Sequence, residues 1–218
     1  EGMVSTARDL SILARAIIQD HPDHYSIYSE KYFKYNNINQ PNRNRLLWRD
    51  SSVDGLKTGH TNAAGYCLVA SAKRKDMRLI SVVMGATSDA ARATESQKLF
   101  SYGFRHFETK TIYRAGDVIK ENAKVWYGKD EFINLSISDN IALTLPRGAQ
   151  KNLSANILVN EQIKAPISAG QELGRLQVSL DGEILVDKPI VSATAVEESG
   201  FISRFVDWIV LLITRLMS

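Results

Sequence analysis

The stretch "VDGLKTGHTNAAGYCLVASAKRKDMRLISVVMGA", from Val53 to Ala86, decides the fold of the first half of this chain. Two β-rich runs within it, Gly65–Ala72 and Arg78–Met84, are joined by the charged segment Lys73–Asp76, which is the pattern of a β-hairpin. Directly before the hairpin stands the motif Lys57-Thr58-Gly59-His60. The order therefore predicts a strand that carries this motif, followed by an antiparallel pair of strands.

The motif combines residue types that suit a peptide ending in a carboxylate. Lys57 supplies a compact cation that can hold a carboxylate or, if its pKa is depressed, move a proton. Thr58 adds a short donor and acceptor, and Gly59 lacks a Cβ, so a ligand backbone can approach the strand closely. An extended peptide would then pair with the strand edge. A polar strand end that turns at Thr61-Asn62 explains the same tripeptide, because three residues alone are a weak signal.

Helical patterns lie on both sides of this β-rich stretch. Thr6 and Asp9 form a capping box before apolar residues at helical spacing, and His21-Pro22 ends that helix. A second helix is predicted over Ser88–Phe107. Its apolar stripe is expected at Leu99, Tyr102 and Phe107.

The composition limits the classes of function. With 44% hydrophobic and 23% charged residues among 218, the chain is expected to fold around a packed core. A formal net charge of +3 with mixed signs gives no electrostatic basis for a nucleic-acid partner. Cys67 is the single cysteine, which excludes a disulfide framework and a cysteine-based metal site. Asp20–His24 resembles a metal cluster, but Pro22 breaks the helix there, so we expect a solvated helix end, no metal and no cofactor.

The composition changes near Glu108. From there to Val196 the chain shows short strands and turn signals without a convincing helix. Asp181-Gly182 stands between alternating strands, which is a strong hairpin signal. We therefore expect a small all-β sandwich domain over residues 108–196 and an α+β fold class for the chain.

The chain closes with "GFISRFVDWIVLLITRLMS", Gly200–Ser218. At 100° per residue its polar residues gather on one side of a helix, together with Leu211. Because a membrane span needs about 20 predominantly apolar residues and this stretch carries three charges, an amphipathic helix in the membrane interface fits better. The expected anchor residues are Phe201, Phe205, Trp208, Ile209 and Leu212. A terminal helix packed on the β domain is the alternative.

Five stretches occur in a specific order along the chain. They are "STARDLSILARAII", "YSIYSEKYF", "NRNRLLWRDSSVDGLKTGHTNAAGYCLVASA", "MRLISVVMGA" and "ESQKLFSYGFRHFET". Together they resemble the D-alanyl-D-alanine carboxypeptidases, the low-molecular-mass (class C) penicillin-binding proteins of peptidase family S11. The resemblance implies the C-terminal part of a β-lactamase/transpeptidase-like α/β domain over residues 1–107. It also implies an all-β domain over 108–196 and an amphipathic membrane-anchor helix over 197–218.

The same resemblance implies a serine-type D-Ala-D-Ala carboxypeptidase. Such an enzyme removes the terminal D-alanine from peptidoglycan stem peptides through an acyl-enzyme, and it binds β-lactams. Lys57 would assist proton transfer and orient the substrate carboxylate, and Thr58 would hydrogen-bond that carboxylate. Gly59 would permit the approach, and the backbone N–H of His60 would be one oxyanion-hole donor.

Two arginines match family positions near the site. Arg92, in "ARATES", matches an arginine that faces the substrate carboxylate, and Arg43, in "NRNRLLW", matches one that lies close by. Because the family acts on cell-wall peptides, the implied location is peripheral, on the periplasmic face of a bacterial inner membrane.

The chain departs from the family pattern in its nucleophile. No Ser-x-x-Lys occurs in the 218 residues. Ser138-Asp139-Asn140 and Ser154-Ala155-Asn156 both spell Ser-x-Asn, but they follow Lys57 in the β domain, whereas the family's Ser-x-Asn precedes its Lys-Thr-Gly. We therefore expect the C-terminal portion of a carboxypeptidase that is inactive alone. The alternative is a non-catalytic, membrane-associated scaffold whose β domain mediates contacts.

Overall fold

The computed structural model describes residues 4–217 and divides into two compact units, Glu1–Thr109 and Lys110–Ser218. Unit 1 is mixed α and β, and unit 2 is built mainly from strands, so the α+β fold class is confirmed. The elements of unit 1 are α1 Ala7–Asp20, α2 Pro22–Tyr25, β1 Tyr32–Tyr35, β2 Ile38–Pro41, α3 Leu46–Arg49, β3 Val53–Thr61, β4 Gly65–Arg74, β5 Met77–Ala86 and α4 Asp89–His106.

The ends of α1 follow from the residues that flank it. The Asp9 backbone N–H donates to Thr6 Oγ1 at 3.1 Å, and the Thr6 N–H donates to the Asp9 carboxylate at 3.2 Å, which confirms the capping box. The helix ends at Asp20 because Pro22 opens the next short helix. Ala14 is buried on the inner side of α1, in a cluster with Tyr25 and Leu56 of β3.

Strands β3, β4 and β5 form an antiparallel sheet in chain order. The predicted hairpin is confirmed, although β4 and β5 both run further than expected and leave a tight turn in which Lys75 has a φ of 53°. Their inner face packs Leu68, Ala70 and Ala72 against Phe100 of α4. This packing holds β3 at one edge of the sheet, with its other side free of any described strand.

The predicted helix at Ser88–Phe107 is confirmed as α4, with Ser88 as its N-cap, but its predicted apolar stripe is wrong. Leu99 and Tyr102 are exposed, and the buried apolar side chains of α4 include Phe100 and Phe104. The reason lies at Gly103, where a Cβ would stand 2.5 Å from Leu79 Cδ1. Because α4 approaches β5 most closely at Gly103, the buried stripe runs along the side of α4 that carries this glycine. Phe107 packs against the same core.

Strands β1 and β2 form a hairpin that the sequence indicated only as a turn. Asn36 and Asn37 have φ values of 51° and 63°, so both residues of the two-residue loop are left-handed. Asparagine tolerates this conformation better than most residues, and the paired left-handed geometry is that of a type I′ turn.

Unit 2 contains a six-stranded sheet in the order β10-β12-β13-β8-β7-β11 and a two-stranded sheet of β6 and β9. Its elements are β6 Phe107–Tyr113, β7 Val118–Trp126, β8 Phe132–Ile137, β9 Ile141–Pro146, β10 Leu153–Val159, β11 Ile163–Lys164, β12 Glu172–Leu180, β13 Glu183–Ser192 and α5 Phe201–Met217. Asp181 and Gly182 have φ values of 51° and 91° and turn β12 into β13, as predicted. Leu135, Leu176 and Ile190 lie at the centre of the core.

Helix α5 contacts the strand-rich part of unit 2 through a narrow strip, and its other described side chains are exposed. Among residues 201–216, whose burial the structure describes, the half-buried residues of α5 are Asp207 and Leu211, one turn apart. The Tyr127 backbone N–H donates to the Asp207 carboxylate at 2.7 Å. Large apolar side chains are exposed around the remainder, and they are Phe201, Ile202, Phe205, Val206, Trp208, Ile209, Val210, Leu212, Ile213 and Leu216. Within residues 4–217, no helix combines the length and the apolar character that crossing a bilayer requires.

Candidate active site

A cleft of about 830 Å³ opens in unit 1 along the free edge of β3. Two parts of the chain face each other across it: the Lys57–His60 end of β3 and the segment between β2 and α3. Residues that line the cleft are Tyr32, Pro41, Asn42, Arg43, Arg45, Trp48, Lys57, Thr58, Gly59, His60, Tyr66, Asp89 and Arg92. All six site residues expected from the sequence therefore border one cavity.

The backbone of β3 presents hydrogen-bonding groups to this cleft. Gly59 lies opposite Cys67 of β4, and both carbonyl oxygens accept from the same nitrogen of Arg92, so the Gly59 carbonyl points toward β4. Successive residues of a strand direct their backbone groups to opposite sides. Thr58 and His60 consequently present their N–H and C=O groups at the free edge. An extended peptide can pair with both kinds of group there, and an oxyanion can accept hydrogen bonds from the N–H groups.

The side chains of the motif differ in their contacts. Lys57 is exposed, and its Nζ donates to the Thr58 carbonyl oxygen at 2.7 Å, which leaves ammonium hydrogens for a ligand. The His60 ring lies against the ring of Tyr66, its partner on β4, with the centroids 4.0 Å apart. Thr58 is half-buried in the cleft wall.

Arg92, in the first turn of α4, has a side chain that is 6% exposed. Its Nη1 donates to the carbonyl oxygens of Gly59 and Cys67, at 3.1 and 3.3 Å. Its Nη2 donates to the Asp89 carboxylate and to the Arg43 carbonyl oxygen, the latter at 3.5 Å. Arg92 thus borders the cleft while its terminal nitrogens bind protein atoms.

Asp89 links this buried arginine to residues 42–45, the segment between β2 and α3 that forms the outer wall of the cleft. One carboxylate oxygen of Asp89 pairs with Arg92, and the other pairs with Nε of Arg45, whose side chain is mostly exposed. Both oxygens of the carboxylate are therefore occupied by arginine donors.

The segment that carries Arg43 is held by two asparagines. The fully buried Asn44 donates from its side-chain amide to the Gly55 carbonyl oxygen at 2.9 Å and accepts from the Leu46 N–H at 3.2 Å. The Asn42 side chain accepts from the Asn44 N–H at 2.9 Å. These bonds tie the outer wall to β3. Arg43 itself is exposed, and its guanidinium has no hydrogen-bond acceptor within residues 4–217.

The charge balance of the cleft is positive. Its lining includes Arg43, Arg45, Lys57 and Arg92, whereas Asp89 is the one carboxylate among the described lining residues. Because Asp89 is paired with two other arginines, it does not neutralise Lys57 and Arg43, which are exposed and open to a ligand. An anionic ligand, and a carboxylate in particular, is the chemistry that this arrangement favours.

Behind β3 a polar network supports the strand. The Tyr25 hydroxyl donates to the Asp54 carboxylate at 2.7 Å, and Arg78 pairs with the same carboxylate at 2.8 Å. Arg78 also donates to the Ser71 hydroxyl at 2.6 Å. Burial, together with the neighbouring Asp54, raises the pKa of Tyr25 above its ordinary value, so the hydroxyl remains a donor. The site strand is thereby fixed from its rear side.

The sequence did not indicate several residues of this site, among them Arg45, Asp89, Asn44 and Tyr66. Arg45 stands in the same "NRNRLLW" stretch as Arg43, and Asp89 is a first-turn acid of a predicted helix, but neither pattern shows that the two meet. Their pairing depends on how α4 and the outer wall approach each other in unit 1.

Other sequence candidates lie elsewhere. Both Ser-x-Asn tripeptides are in unit 2, where the Asn140 side chain accepts from the Ala115 N–H and Ser154 bonds Ser179 across two strands. His21 and His24 are exposed at the end of α1, with ring centroids 6.5 Å apart. Over residues 4–217, His, Cys, Asp and Glu side chains form no group of three that could hold a metal ion.

Comparison with known families covers most of the chain. Residues 1–88 match the family D-alanyl-D-alanine carboxypeptidase (peptidase S11), and residues 107–198 match penicillin-binding protein 5, C-terminal domain. D-alanyl-D-alanine carboxypeptidase DacC of Escherichia coli K12 is 45% identical over 212 residues, which are 96% of this chain and 53% of that protein. DacF of Bacillus subtilis is 35% identical over 208 residues, 93% of this chain and 53% of that protein. The chain thus spans about half the length of the curated relatives it matches.

Solved structures agree with these matches. Penicillin-binding protein 5 from Haemophilus influenzae superposes with a TM-score of 0.76 at 43% identity, covering 89% of this chain and 57% of that one. A peptidoglycan synthesis regulatory factor (PBP3) from Streptococcus pneumoniae superposes with a TM-score of 0.72 at 25% identity, covering 90% and 60%. The chain therefore belongs to the D-alanyl-D-alanine carboxypeptidase family, peptidase S11, and carries a C-terminal domain of the penicillin-binding protein 5 type.

Proposed function

We propose that this chain forms the carboxylate-binding wall of a serine-type D-Ala-D-Ala carboxypeptidase. The enzyme would remove the terminal D-alanine from peptidoglycan stem peptides and bind β-lactams at the same site. The observation that carries the proposal is the positive cleft along the free edge of β3, where Lys57 and Arg43 are open to an anion. Family membership supplies the reaction class, and the cleft supplies a physical reason for a carboxylate-terminated peptide.

The reaction assigns a specific task to each part of β3. A serine Oγ attacks the carbonyl carbon of the penultimate D-alanine, and the resulting oxyanion needs donors aimed at its position. The free N–H of His60 lies on the edge that such a carbonyl would approach. The peptide C–N bond then breaks, the leaving D-alanine takes a proton at its nitrogen, and water hydrolyses the acyl ester.

The terminal carboxylate of the substrate would lie between Lys57 and Thr58 on β3 and Arg43 on the outer wall. An ammonium, a hydroxyl and a guanidinium around one carboxylate give charge-assisted hydrogen bonds, which are about twice as strong as neutral ones. The substrate backbone would pair with the free edge of β3. In this arrangement the scissile bond would lie next to the His60 backbone N–H.

The serine and its lysine base are not among these 218 residues, because no Ser-x-x-Lys occurs in them. We propose that they come from an upstream segment, as the family pattern requires, and that the present chain alone does not acylate. The intact enzyme is accordingly defined as this chain joined to an upstream segment that carries Ser-x-x-Lys.

The test uses the intact enzyme and a fluorescent penicillin, with covalent labelling followed by denaturing electrophoresis. Lys57→Ala is expected to lower the rate of labelling by at least about 100-fold, because it removes a charge from a preorganised site. Lys73→Ala, at the distal end of β4, is the matched control and should label as the unchanged enzyme does. The 218-residue chain alone should give no adduct.

Two results would contradict the proposal. Normal labelling of the Lys57→Ala enzyme would show that β3 is not the carboxylate wall. No labelling of the intact enzyme under any condition would favour the non-catalytic scaffold, in which unit 2 mediates contacts and unit 1 serves only as packing.

We further propose that α5 binds the membrane surface and places the enzyme peripherally on the periplasmic face of a bacterial inner membrane. The exposed apolar surface of α5 supports this proposal, because ten large apolar side chains remain uncovered while Asp207 and Leu211 face unit 2. Phe201, Phe205, Trp208, Ile209 and Leu212 all belong to that exposed surface. A helix of this kind inserts its apolar side into the boundary between headgroups and acyl chains.

Vesicle sedimentation tests the membrane proposal. With vesicles of phosphatidylethanolamine and phosphatidylglycerol, the variant Trp208→Glu with Leu212→Glu should lose most binding, because two charges would enter the apolar side. Ser203→Glu is the charge-bearing control on the polar side of α5. Equal sedimentation of all three proteins would rule out attachment through the apolar side.

A further inference from the structure

The donors on the two terminal nitrogens of Arg92 are already committed inside the protein. A guanidinium has five N–H donors, four of them on its two terminal nitrogens. In Arg92 those four hydrogens have four protein acceptors: the carbonyl oxygens of Gly59, Cys67 and Arg43, and the Asp89 carboxylate. To bind a substrate carboxylate, a side chain that is 6% exposed would first have to give up some of these bonds.

The acceptors of Arg92 belong to three different parts of the cleft. Gly59 lies on β3, Cys67 on β4 and Arg43 on the outer wall, whereas Arg92 itself begins α4. One planar group with a fixed fork of donors therefore joins all of them. The guanidinium carbon lies over the ring of Tyr66, 5.6 Å from its centroid.

Asp89 keeps the guanidinium in this orientation. Its carboxylate binds Arg92 with one oxygen and Arg45 with the other, so the outer wall and α4 are linked a second time. Ser88, the N-cap of α4, fixes the start of the helix by accepting from the Ala91 N–H at 3.0 Å. The position of Asp89 is consequently fixed by the helix N-cap beside it and by ion pairs at both of its carboxylate oxygens.

We propose that Arg92 is a positioning residue rather than a ligand of the substrate carboxylate, and that Asp89 and Arg45 hold it in that role. Arg92 sets the Gly59 carbonyl toward β4, which by strand alternation turns the Thr58 and His60 backbone groups toward the substrate. Binding of the terminal carboxylate then falls to Lys57, Thr58 and Arg43. The inference rests on the proposed carboxypeptidase function and assigns the parts of its site.

The roles can be separated with two substrates that differ only in the carboxylate. Suitable substrates are N-acyl-D-alanine thiolesters whose leaving groups are thioglycolate and thioglycolamide, since the reactive thiolester keeps both hydrolyses measurable. For each variant of the intact enzyme, kcat/KM is determined for both and divided by the fraction of active enzyme, which a penicillin titration counts. The ratio of the two values measures carboxylate recognition alone.

A positioning residue and a carboxylate ligand give different ratios. Arg92→Gln is expected to lower kcat/KM for both thiolesters by the same factor, between about 10- and 100-fold, because misplacement of the reacting groups affects both. Asp89→Asn should act in the same direction with a smaller factor. Lys57→Ala and Arg43→Gln should instead lower the ratio. Glu95→Gln, which removes an exposed pair with Lys98 on the same helix, is the control and should change neither value.

Collapse of the ratio in Arg92→Gln, to the level of Lys57→Ala, would overturn the proposal and make Arg92 a carboxylate ligand. Unchanged kcat/KM for both substrates would overturn it as well. Absence of any hydrolysis by the unchanged intact enzyme would refute the proposed function instead.

Hydrogen exchange then tests the positioning role independently of activity, on the 218-residue chain. Arg92→Gln and Asp89→Asn should speed exchange of the amides in residues 57–68 and leave residues 77–83 of β5 unaffected. Exchange equal to that of the unchanged chain over 57–68 would overturn the proposal by itself.

Discussion

Gly55 offers a sharp test of how β3 is held. The glycine lies in β3 with the Tyr25 ring against its Cα and the Asn44 amide on its carbonyl oxygen. The Cβ that Gly55→Ala adds would stand 2.5 Å from Tyr25 Oη, 3.1 Å from Cζ and 3.2 Å from Cε2. These atoms belong to the hydroxyl and ring of Tyr25, which cannot move away freely because Tyr25 is itself buried and bonded to Asp54.

The expected cost follows from these distances. The closest contact is about 1 Å shorter than the optimum for non-bonded atoms, so either β3 or Tyr25 must shift. Overpacking of this kind destabilises a core by about 2 to 3 kcal/mol. Tyr25→Phe alone should cost about 1.5 kcal/mol, the contribution of a hydrogen bond to a charged acceptor.

The two substitutions should compensate each other in part. Without the hydroxyl oxygen the nearest atoms are those of the ring, at 3.1 Å or more, which a small movement relieves. The double variant is therefore expected to be about 1.5 kcal/mol more stable than the sum of the single effects. Gly59→Ala is the control on the same strand, because its Cβ would meet only Cys67 Cβ at 3.9 Å.

Urea unfolding of the 218-residue chain measures these differences. Trp126→Phe with Trp208→Phe leaves Trp48 as the single tryptophan, so its fluorescence reports on unit 1. Full additivity of the two substitutions would refute the reasoning, since the clash would then not involve the hydroxyl. A Gly59→Ala effect as large as that of Gly55→Ala would also contradict it.

Three further predictions concern other parts of the chain. Asn44→Ala should lower the free energy of unfolding of unit 1 by about 2 to 3 kcal/mol in the same urea assay, because the Gly55 carbonyl and the Leu46 N–H lose a buried partner. Asn42→Ala should lower this free energy by less. Equal effects of the two substitutions would contradict the role of burial. Burial alone would raise the pKa of Asp50, but hydrogen bonds from Ser52 and Arg74 lower it. The ionised Asp50 therefore stabilises the fold above about pH 4, and this stabilisation is lost as the pH falls through the lowered pKa. Asp50→Asn should flatten this acid dependence of the free energy of unfolding, and an unchanged pH profile would argue against the assignment. Asp207→Asn weakens the hydrogen bond that the Tyr127 N–H donates to residue 207. Limited trypsin digestion should then cleave after Arg204 faster than in the unchanged chain. An equal cleavage rate would show that this bond does not hold α5.

Much of the architecture follows from local sequence. Thr6 and Asp9 predict the start of α1, because a capping box involves two residues that are three positions apart. Asp181-Gly182 predicts a hairpin, because the left-handed turn depends on those two residues. The Lys57–His60 motif could be placed on a strand before a hairpin for the same reason. Patterns of this range depend on neighbours within one turn or one strand pair.

The helix α4 shows where such local reasoning stops. Its limits were predicted, but its buried stripe was not, because Leu99 and Tyr102 are large and mainly apolar, as Phe100 and Phe104 are. Close approach at Gly103 decided which side faces β5. Helical periodicity predicts that one side is buried, and only packing selects it when several sides are apolar.

What the sequence by itself determined is the order of the elements, the motif on β3, the β-rich second half and the amphipathic tail, because each depends on periodicity and turn chemistry over a few residues. Only the tertiary structure decided that the Arg92 donors point inward, that Asp89 joins two arginines and that α5 keeps its apolar surface uncovered. The physical reason is distance along the chain: Arg92 meets the Gly59 carbonyl 33 residues away and the Arg43 carbonyl 49 residues away. The three-dimensional positions of such acceptors determine which of them a guanidinium binds, and a local sequence pattern does not specify those positions.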